Sequence, residues 1–76
     1  MKKYEHIGKG TEITTMEGKI VADSYNGSIV YFDEFLYNEE TEEDDIPNGT
    51  RMLTLYEAGK IMKESDGRNH NVTWEE

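Results

Sequence analysis

Cysteine is absent from the 76-residue chain, and proline occurs once. Without cysteine the chain can form neither a disulfide framework nor a zinc site built on thiolates. A chain of this length makes one domain at most, and a domain of this size buries only about 60% of the surface that the unfolded chain exposes. We therefore predict a single domain over residues 1–76 with little room for a deep pocket.

Long apolar runs are also missing. The two longest cover residues 29–32 and 35–37, far below the roughly 20 residues that a membrane-spanning helix needs. Polar residues follow the charged start at residues 1–3, where a secretory signal would be apolar. The sequence thus predicts a protein that is neither secreted nor embedded in a membrane. Its N-x-[ST] sequons are then interpreted as turn sequences, and they begin at Asn26, Asn48 and Asn71.

Catalytic and metal-binding signatures are scarce. There is no cysteine nucleophile and no serine in a recognisable nucleophile elbow, and residues 8–10 are too short for a phosphate-binding loop. His6 and His70 have no partner at metal-ligand spacing and are interpreted as surface or turn residues. Residues 44–49 depart from the calcium-loop pattern at Ile46. We expect no enzyme activity, no cofactor and no specific metal site.

The acidic residues are concentrated in the middle of the chain. The net charge is −9, with +1 on residues 1–20, −9 on residues 21–50 and −1 on residues 51–76. Residues 21–50 contain nine acids and no lysine or arginine, and eight of these acids fall within residues 33–45. Such a surface disfavours nucleic acid and anionic membranes as partners and favours a basic protein.

Period-two patterns predict strands over residues 12–16, 19–25 and 28–36. Glu17-Gly18 and Asn26-Gly27 predict tight two-residue turns between them, which would place Ile13 opposite Ala22 and Ala22 opposite Tyr31. One face of the sheet would then carry Ile13, Thr15, Ile20, Ala22, Ile29 and Tyr31. The other would carry Met16, Val21, Val30 and Phe32.

A helix is predicted over residues 54–66. Thr54 and Glu57 have the spacing of a capping box, and Gly67 is placed to end the helix. Gly59 either weakens the helix or allows it to pack closely against the sheet. The apolar residues with helical spacing are Leu55, Ala58, Ile61 and Met62.

Residues 38–50 interrupt the strand pattern, because they are polar and acidic and contain Pro47-Asn48-Gly49. We expect an acidic loop there, then a short strand at residues 51–53 and a last strand at residues 71–74. The predicted fold class is α+β: a small antiparallel meander, or an SH3-like open barrel, with one helix in the C-terminal half.

The acids near the third strand are the candidate binding residues. Acidic runs are commonly solvated loops, but this run is internal and adjoins aromatic residues of the kind that anchor interfaces. An extended chain advances about 3.3 Å per residue, close to the ~3.4 Å between charges along one DNA strand. A groove of lysine and arginine could therefore accept the run. The predicted partner-binding residues are Asp33, Glu34, Phe35, Tyr37, Glu39, Glu40, Glu42, Glu43, Asp44 and Asp45.

In size, acidity, lack of cysteine and sheet-plus-helix layout, the chain resembles the small acidic host-takeover proteins of lytic phages. Some of these are DNA mimics, and one of them inhibits the bacterial histone-like protein HU. The resemblance is one of overall character and involves no motif. It implies carboxylates that imitate phosphates and an inhibitor that blocks a nucleoid protein, polymerase or nuclease in the bacterial cytoplasm. The four lysine and arginine residues after residue 50 depart from that pattern.

Two other functions stay open from the sequence. An SH3-like adaptor domain would bind a protein partner through exposed aromatic residues, and its affinity would survive reversal of the acids. A regulator that binds a cation such as Ca²⁺ would use the carboxylates as ligands, which calorimetry would detect.

Overall fold

The computed structural model describes residues 4–75, which form six strands and one helix. The elements in chain order are β1 (Tyr4–Ile7), β2 (Glu12–Thr14), β3 (Gly18–Tyr25), β4 (Val30–Asn38), β5 (Glu43–Leu53), α1 (Leu55–Asp66) and β6 (Asn71–Trp74). Strands β2 to β5 form an antiparallel sheet in sequence order, and β1 pairs with β6 in a separate parallel sheet. This arrangement confirms the predicted α+β class in its meander form. Over residues 4–75 the strands do not close into a barrel.

The helix begins and ends at the predicted residues. The Thr54 hydroxyl accepts the Glu57 N–H at 3.1 Å, and the Glu57 carboxylate accepts the Thr54 N–H at 2.9 Å, which completes the capping box. Gly67 ends the helix with a left-handed φ of 76° and donates its N–H to the Lys63 carbonyl oxygen. Within the described residues, no helix is long and apolar enough to cross a membrane.

The second sheet holds the C-terminal segment against the helix. Strand β6 was predicted, whereas its partner β1 was not, because residues 4–7 show no clear strand pattern. Gly59 allows this contact, since a Cβ there would lie 2.7 Å from the His70 carbonyl oxygen. Trp74 at the end of β6 stacks on Tyr25 of β3 with 5.7 Å between ring centroids. Of the two alternatives predicted for Gly59, the structure shows the close packing.

The core lies between the meander and α1, and the predicted faces are only partly right. Val30 and Phe32 are buried together with Ile20 and Ala22, although they were predicted on the opposite face. The buried apolar residues are Ile7, Ile13, Ile20, Ala22, Val30, Phe32, Leu53 and Ala58.

A bulge at Asp23 explains this difference. The Asn26 side-chain oxygen accepts the N–H groups of Ser28 and Ile29 at 2.9 and 2.8 Å, so four residues form the loop, not two, and this shift of two residues alone would leave the faces unchanged. The bulge reverses one of the two residues and places Ala22 opposite Phe32, where Tyr31 was predicted. A register change of one residue moves side chains to the other face, so β4 buries the residues that the pattern had placed outside.

The first turn lies one residue earlier than predicted, with Met16-Glu17 as its loop, but this error leaves the faces unchanged. Thr15 and Gly18 close the turn, with the Thr15 N–H donated to the Gly18 carbonyl oxygen at 2.8 Å. Ile13 therefore pairs with Ile20 and not with Ala22. Because this shift amounts to two residues, Ile13 stays on the buried face.

Residues 38–50 do not form the predicted loop. Only residues 39–42 make a turn, and β5 then pairs with β4 as far as Leu53. Register shifts at Asp45 and at Asn48-Gly49 allow this polar segment, with Pro47, to run along the edge of the sheet. The segment has little intrinsic strand propensity, but its hydrogen-bonded pairing with β4 outweighs this and makes it a strand.

His70, just before β6, connects β1 to α1, contrary to its interpretation as a simple surface or turn residue. Its side chain is 6% exposed; Nδ1 lies 2.6 Å from a Glu5 carboxylate oxygen in β1, and Nε2 lies 2.8 Å from Asp66 Oδ2 in α1. The imidazole can donate to both carboxylates only when it carries two protons. The hydrogen bonds to Asp66 and Glu5 raise the pKa of His70 against the opposing effect of burial, and the hydrogen bond from His70 lowers the pKa of Asp66 to about 2.

We expect the free energy of unfolding to be highest between about pH 4 and pH 6.5. Because the folded pKa of His70 is raised, its contribution is complete below the unfolded pKa and is lost as the pH rises through the folded pKa. The Asp66 contribution is present above its unfolded pKa of 3.8 and is lost as the pH falls toward about 2. Urea unfolding at about pH 5.5 and about pH 8 would measure the alkaline loss.

The variant His70→Gln should remove that alkaline loss, since glutamine does not titrate. The matched variant His6→Gln, whose ring lies 2.6 Å from the Thr73 hydroxyl, should retain it. Equal stability of the unmodified protein at both pH values would contradict the prediction.

Candidate functional site

The predicted acidic residues lie on one hairpin formed by β4, the turn and β5, here called the acidic hairpin (residues 33–50). Pairing of Gly18 with Leu36, and a 2.9 Å hydrogen bond from the Tyr37 N–H to the Glu17 carbonyl oxygen, join it to the rest of the sheet. Six of the eight predicted acids are gathered at its tip (residues 38–45), namely Glu39, Glu40, Glu42, Glu43, Asp44 and Asp45.

Hydrogen bonds within the tip define the shape of the turn. The Asn38 carbonyl oxygen accepts the Glu42 N–H at 2.7 Å, and the Asn38 side-chain oxygen accepts the Glu40 N–H at 2.9 Å. The Thr41 hydroxyl donates to Asp45 Oδ2 at 2.8 Å. The six carboxylates therefore project from a bonded turn and the start of a strand, and not from a long loop.

No basic group of residues 4–75 lies within 4.0 Å of any of these six carboxylates. Lys19 is near enough for Asp44 and Glu43 to contribute to its raised pKa, although its hydrogen bond to Glu12 is the main cause. Like charges held together without counter-charges repel one another. A cationic partner at the tip would relieve that repulsion.

Glu42 adds backbone strain to this repulsion. Its φ of 58° lies in the left-handed region, which glycine and asparagine adopt more readily than glutamate. We expect Glu42→Gly to raise the free energy of unfolding by about 1 kcal/mol. The control Glu42→Gln removes the charge and keeps the backbone requirement, so its free energy of unfolding, measured by heat or urea, should rise by less. A less stable glycine variant would show that Glu42 is not strained.

Glu34 is separated from the other predicted acids. Its side chain is 18% exposed, lies 3.2 Å from the Arg51 guanidinium and accepts a hydrogen bond from the Asn48 amide at 2.7 Å. Its charge is therefore compensated within the sheet. Asp33 is exposed on the opposite face of β4, where Val21 and Thr50 are its neighbours.

Phe35 and Tyr37 share that face with Asp33, because alternate residues of a strand point the same way; it is here called the outer face. Residues directly opposite them on the adjacent antiparallel strands also point toward it. Phe35 lies between Lys19 and Pro47, and Tyr37 lies beside Asp44. The helix packs on the other side of the sheet, on the buried residues of the core. Residues of the outer face are Lys19, Val21, Tyr31, Asp33, Phe35, Tyr37, Asp44, Pro47, Thr50 and Met52.

Sequence reasoning missed Lys19, Val21 and Met52 as members of this surface. Each lies on a different strand from Phe35 and Tyr37, and only the register brings them together. The alternation of Lys19 with Ile20 and Val21 was a visible signal, but it could not be used without the correct turn lengths.

A shallow depression of about 220 Å³ lies beside His70. Both nitrogens of His70 are already bonded to Glu5 and Asp66, so neither is free to act as a base. Among residues 4–75 no group of three or more histidine, aspartate or glutamate side chains is arranged to hold a metal ion.

No protein-family model matches the chain, and no curated protein or solved structure shows significant similarity to it.

Proposed function

We propose that the protein is a non-enzymatic inhibitor that mimics DNA and occupies the nucleic-acid-binding site of a basic host protein in the bacterial cytoplasm. Candidate targets are a nucleoid protein such as HU, a polymerase or a nuclease. The observation that carries the proposal is the tip of the acidic hairpin, where six carboxylates without a basic partner among residues 4–75 project from a hydrogen-bonded turn.

The charge pattern differs from the single extended run considered from the sequence. Three of the six carboxylates lie in the turn, those of Glu39, Glu40 and Glu42, and the other three lie at the start of β5. The charge is therefore concentrated at one end of the hairpin, which suits a groove lined by lysine and arginine that can receive the tip.

Electrostatic attraction should dominate both the rate and the strength of this association. Charge complementarity steers encounter between partners, and salt screens it. We expect the Kd to rise by at least about tenfold between about 50 and 200 mM salt. A Kd that does not change with salt would contradict the proposal.

Competition with DNA is the direct test. The full chain would be immobilised and exposed to a nuclease-treated bacterial lysate, and the captured proteins would then be challenged with duplex DNA. We expect DNA to release them. With purified HU, the chain should displace a fluorescently labelled duplex in the same salt-dependent way. Capture that persists in excess DNA would show that the partner is held elsewhere than its nucleic-acid site.

A further inference from the structure

The outer face next to the tip combines aromatic rings with carboxylates. Phe35 and Tyr37 lie two residues apart on β4, and Asp44 is directly opposite Tyr37 on β5. Tyr37 is 49% exposed, so much of its side chain is open to solvent. An aromatic ring with a carboxylate on the neighbouring strand can contact one side chain that is both flat and positively charged.

The protein itself places a cation on this face. Lys19 Nζ lies 5.9 Å from the centroid of the Phe35 ring, within the range of a cation–π contact. The hydrogen bond to Glu12 is the main cause of the raised pKa of Lys19, and the charges of Asp44 and Glu43 at the tip add to it. Tyr37 is closer to the tip than Phe35 along β4, and among the described residues no lysine or arginine is placed over its ring.

The charge of the surface decides between possible occupants. A second copy of the chain, with net charge −9, would bring another acidic surface toward this one, and nucleic acid would be repelled. An added β-strand is disfavoured because Pro47 and two register shifts interrupt the free edge of β5. The surface therefore fits a cationic protein partner that binds through its side chains.

We propose that Tyr37 and Asp44, with Phe35 beside them, form an arginine-selective site through which the partner is recognised. A guanidinium group can stack on the Tyr37 ring and donate paired hydrogen bonds to the Asp44 carboxylate, whereas an ammonium is a compact, strongly hydrated charge. This inference rests on the proposed function and specifies the side-chain chemistry of the partner. The tip then supplies general attraction, and the outer face distinguishes arginine from lysine.

Labelled oligoarginine and oligolysine peptides of equal length are the probes. We expect the unmodified protein to bind oligoarginine about fivefold more tightly than oligolysine. Tyr37→Leu should abolish this preference by weakening oligoarginine binding much more than oligolysine binding, and Tyr37→Phe should retain most of it. In NMR spectra, oligoarginine should shift the ring signals of Tyr37 more than oligolysine does.

Tyr56 provides a matched control, because it is an exposed tyrosine with its own lysine, Lys60, 5.3 Å from the ring centroid, but lies on α1. Tyr56→Leu should keep the arginine preference. Equal affinity for both peptides, or a preference that survives Tyr37→Leu, would overturn the inference. Neither result affects the release of captured proteins by DNA, so the inference and the proposed function can fail separately.

Discussion

Reversing Glu39, Glu40, Glu42 and Glu43 to lysine should weaken binding to a basic nucleic-acid-binding protein by at least about a hundredfold. Each reversal changes the charge by two, so the four together change the net charge from −9 to −1. These four side chains are exposed and contribute nothing to the buried core, so the fold should be retained. Competition binding with labelled duplex DNA on HU would measure the effect, and circular dichroism would check the fold.

A matched pair of double variants separates local charge from total charge. Glu39→Lys with Glu40→Lys changes the tip, whereas Glu64→Lys with Glu75→Lys makes the same change in net charge elsewhere. Glu64 and Glu75 are exposed and lie on α1 and after β6. We expect the first pair to weaken binding about tenfold more than the second. Equal losses would mean that net charge alone, and not the tip, governs binding. Binding that survives all four reversals and fails on substitution of the aromatic residues would favour an adaptor function.

Gly18→Ala should lower the free energy of unfolding by about 3 kcal/mol. A Cβ at this position would collide with the Phe35 carbonyl oxygen and approach Leu36 Cα to 2.9 Å. Because these contacts are with backbone atoms, no side-chain rotation can relieve them. The collision lies where β3 joins β4, so the acidic hairpin should also loosen from the sheet. Chemical denaturation would measure the stability, and hydrogen exchange of the Tyr37 amide, which is bonded to Glu17, would report the attachment.

Gly27→Ala is the control for this substitution. Gly27 has a φ of 93°, but beyond its two chain neighbours no atom lies within 4 Å of the position that a Cβ would take. Gly27→Ala should lower the free energy of unfolding by only about 1 kcal/mol, because of backbone strain. The Tyr37 amide should exchange at an unchanged rate in this variant. If Gly18→Ala were no more destabilising than Gly27→Ala, this result would contradict the close approach of β3 to the Phe35 backbone.

Local signals in the sequence were sufficient to predict the helix and both of its ends. Thr54, Glu57 and Gly67 act within one or two turns of themselves, through hydrogen bonds to their own neighbours. Such interactions need no knowledge of the rest of the fold. The existence of β3, β4 and β6 was likewise visible from the pattern of residues.

Pairing between strands could not be obtained in the same way. Asn26-Gly27 favours a two-residue turn, but the Asn26 side chain bonds to Ser28 and Ile29 and lengthens the loop. The longer loop shifts the register by two residues and the bulge at Asp23 reverses one of them, and this net change of one residue decided that Phe32 is buried and Tyr31 is not. Only residues 51–53 of β5 were predicted as a strand, since its polar residues 43–50 become a strand only where β4 offers hydrogen bonds.

By itself, the sequence determined the class of fold, the helix with its caps, and the concentration of negative charge in residues 33–45, because each depends on composition or on near neighbours. Only the tertiary structure decided that Glu34 is paired with Arg51, that six carboxylates meet at one tip, and that Tyr37 faces Asp44. These relations are set by strand register, and register depends on turn lengths and bulges that are fixed only when the strands pack together.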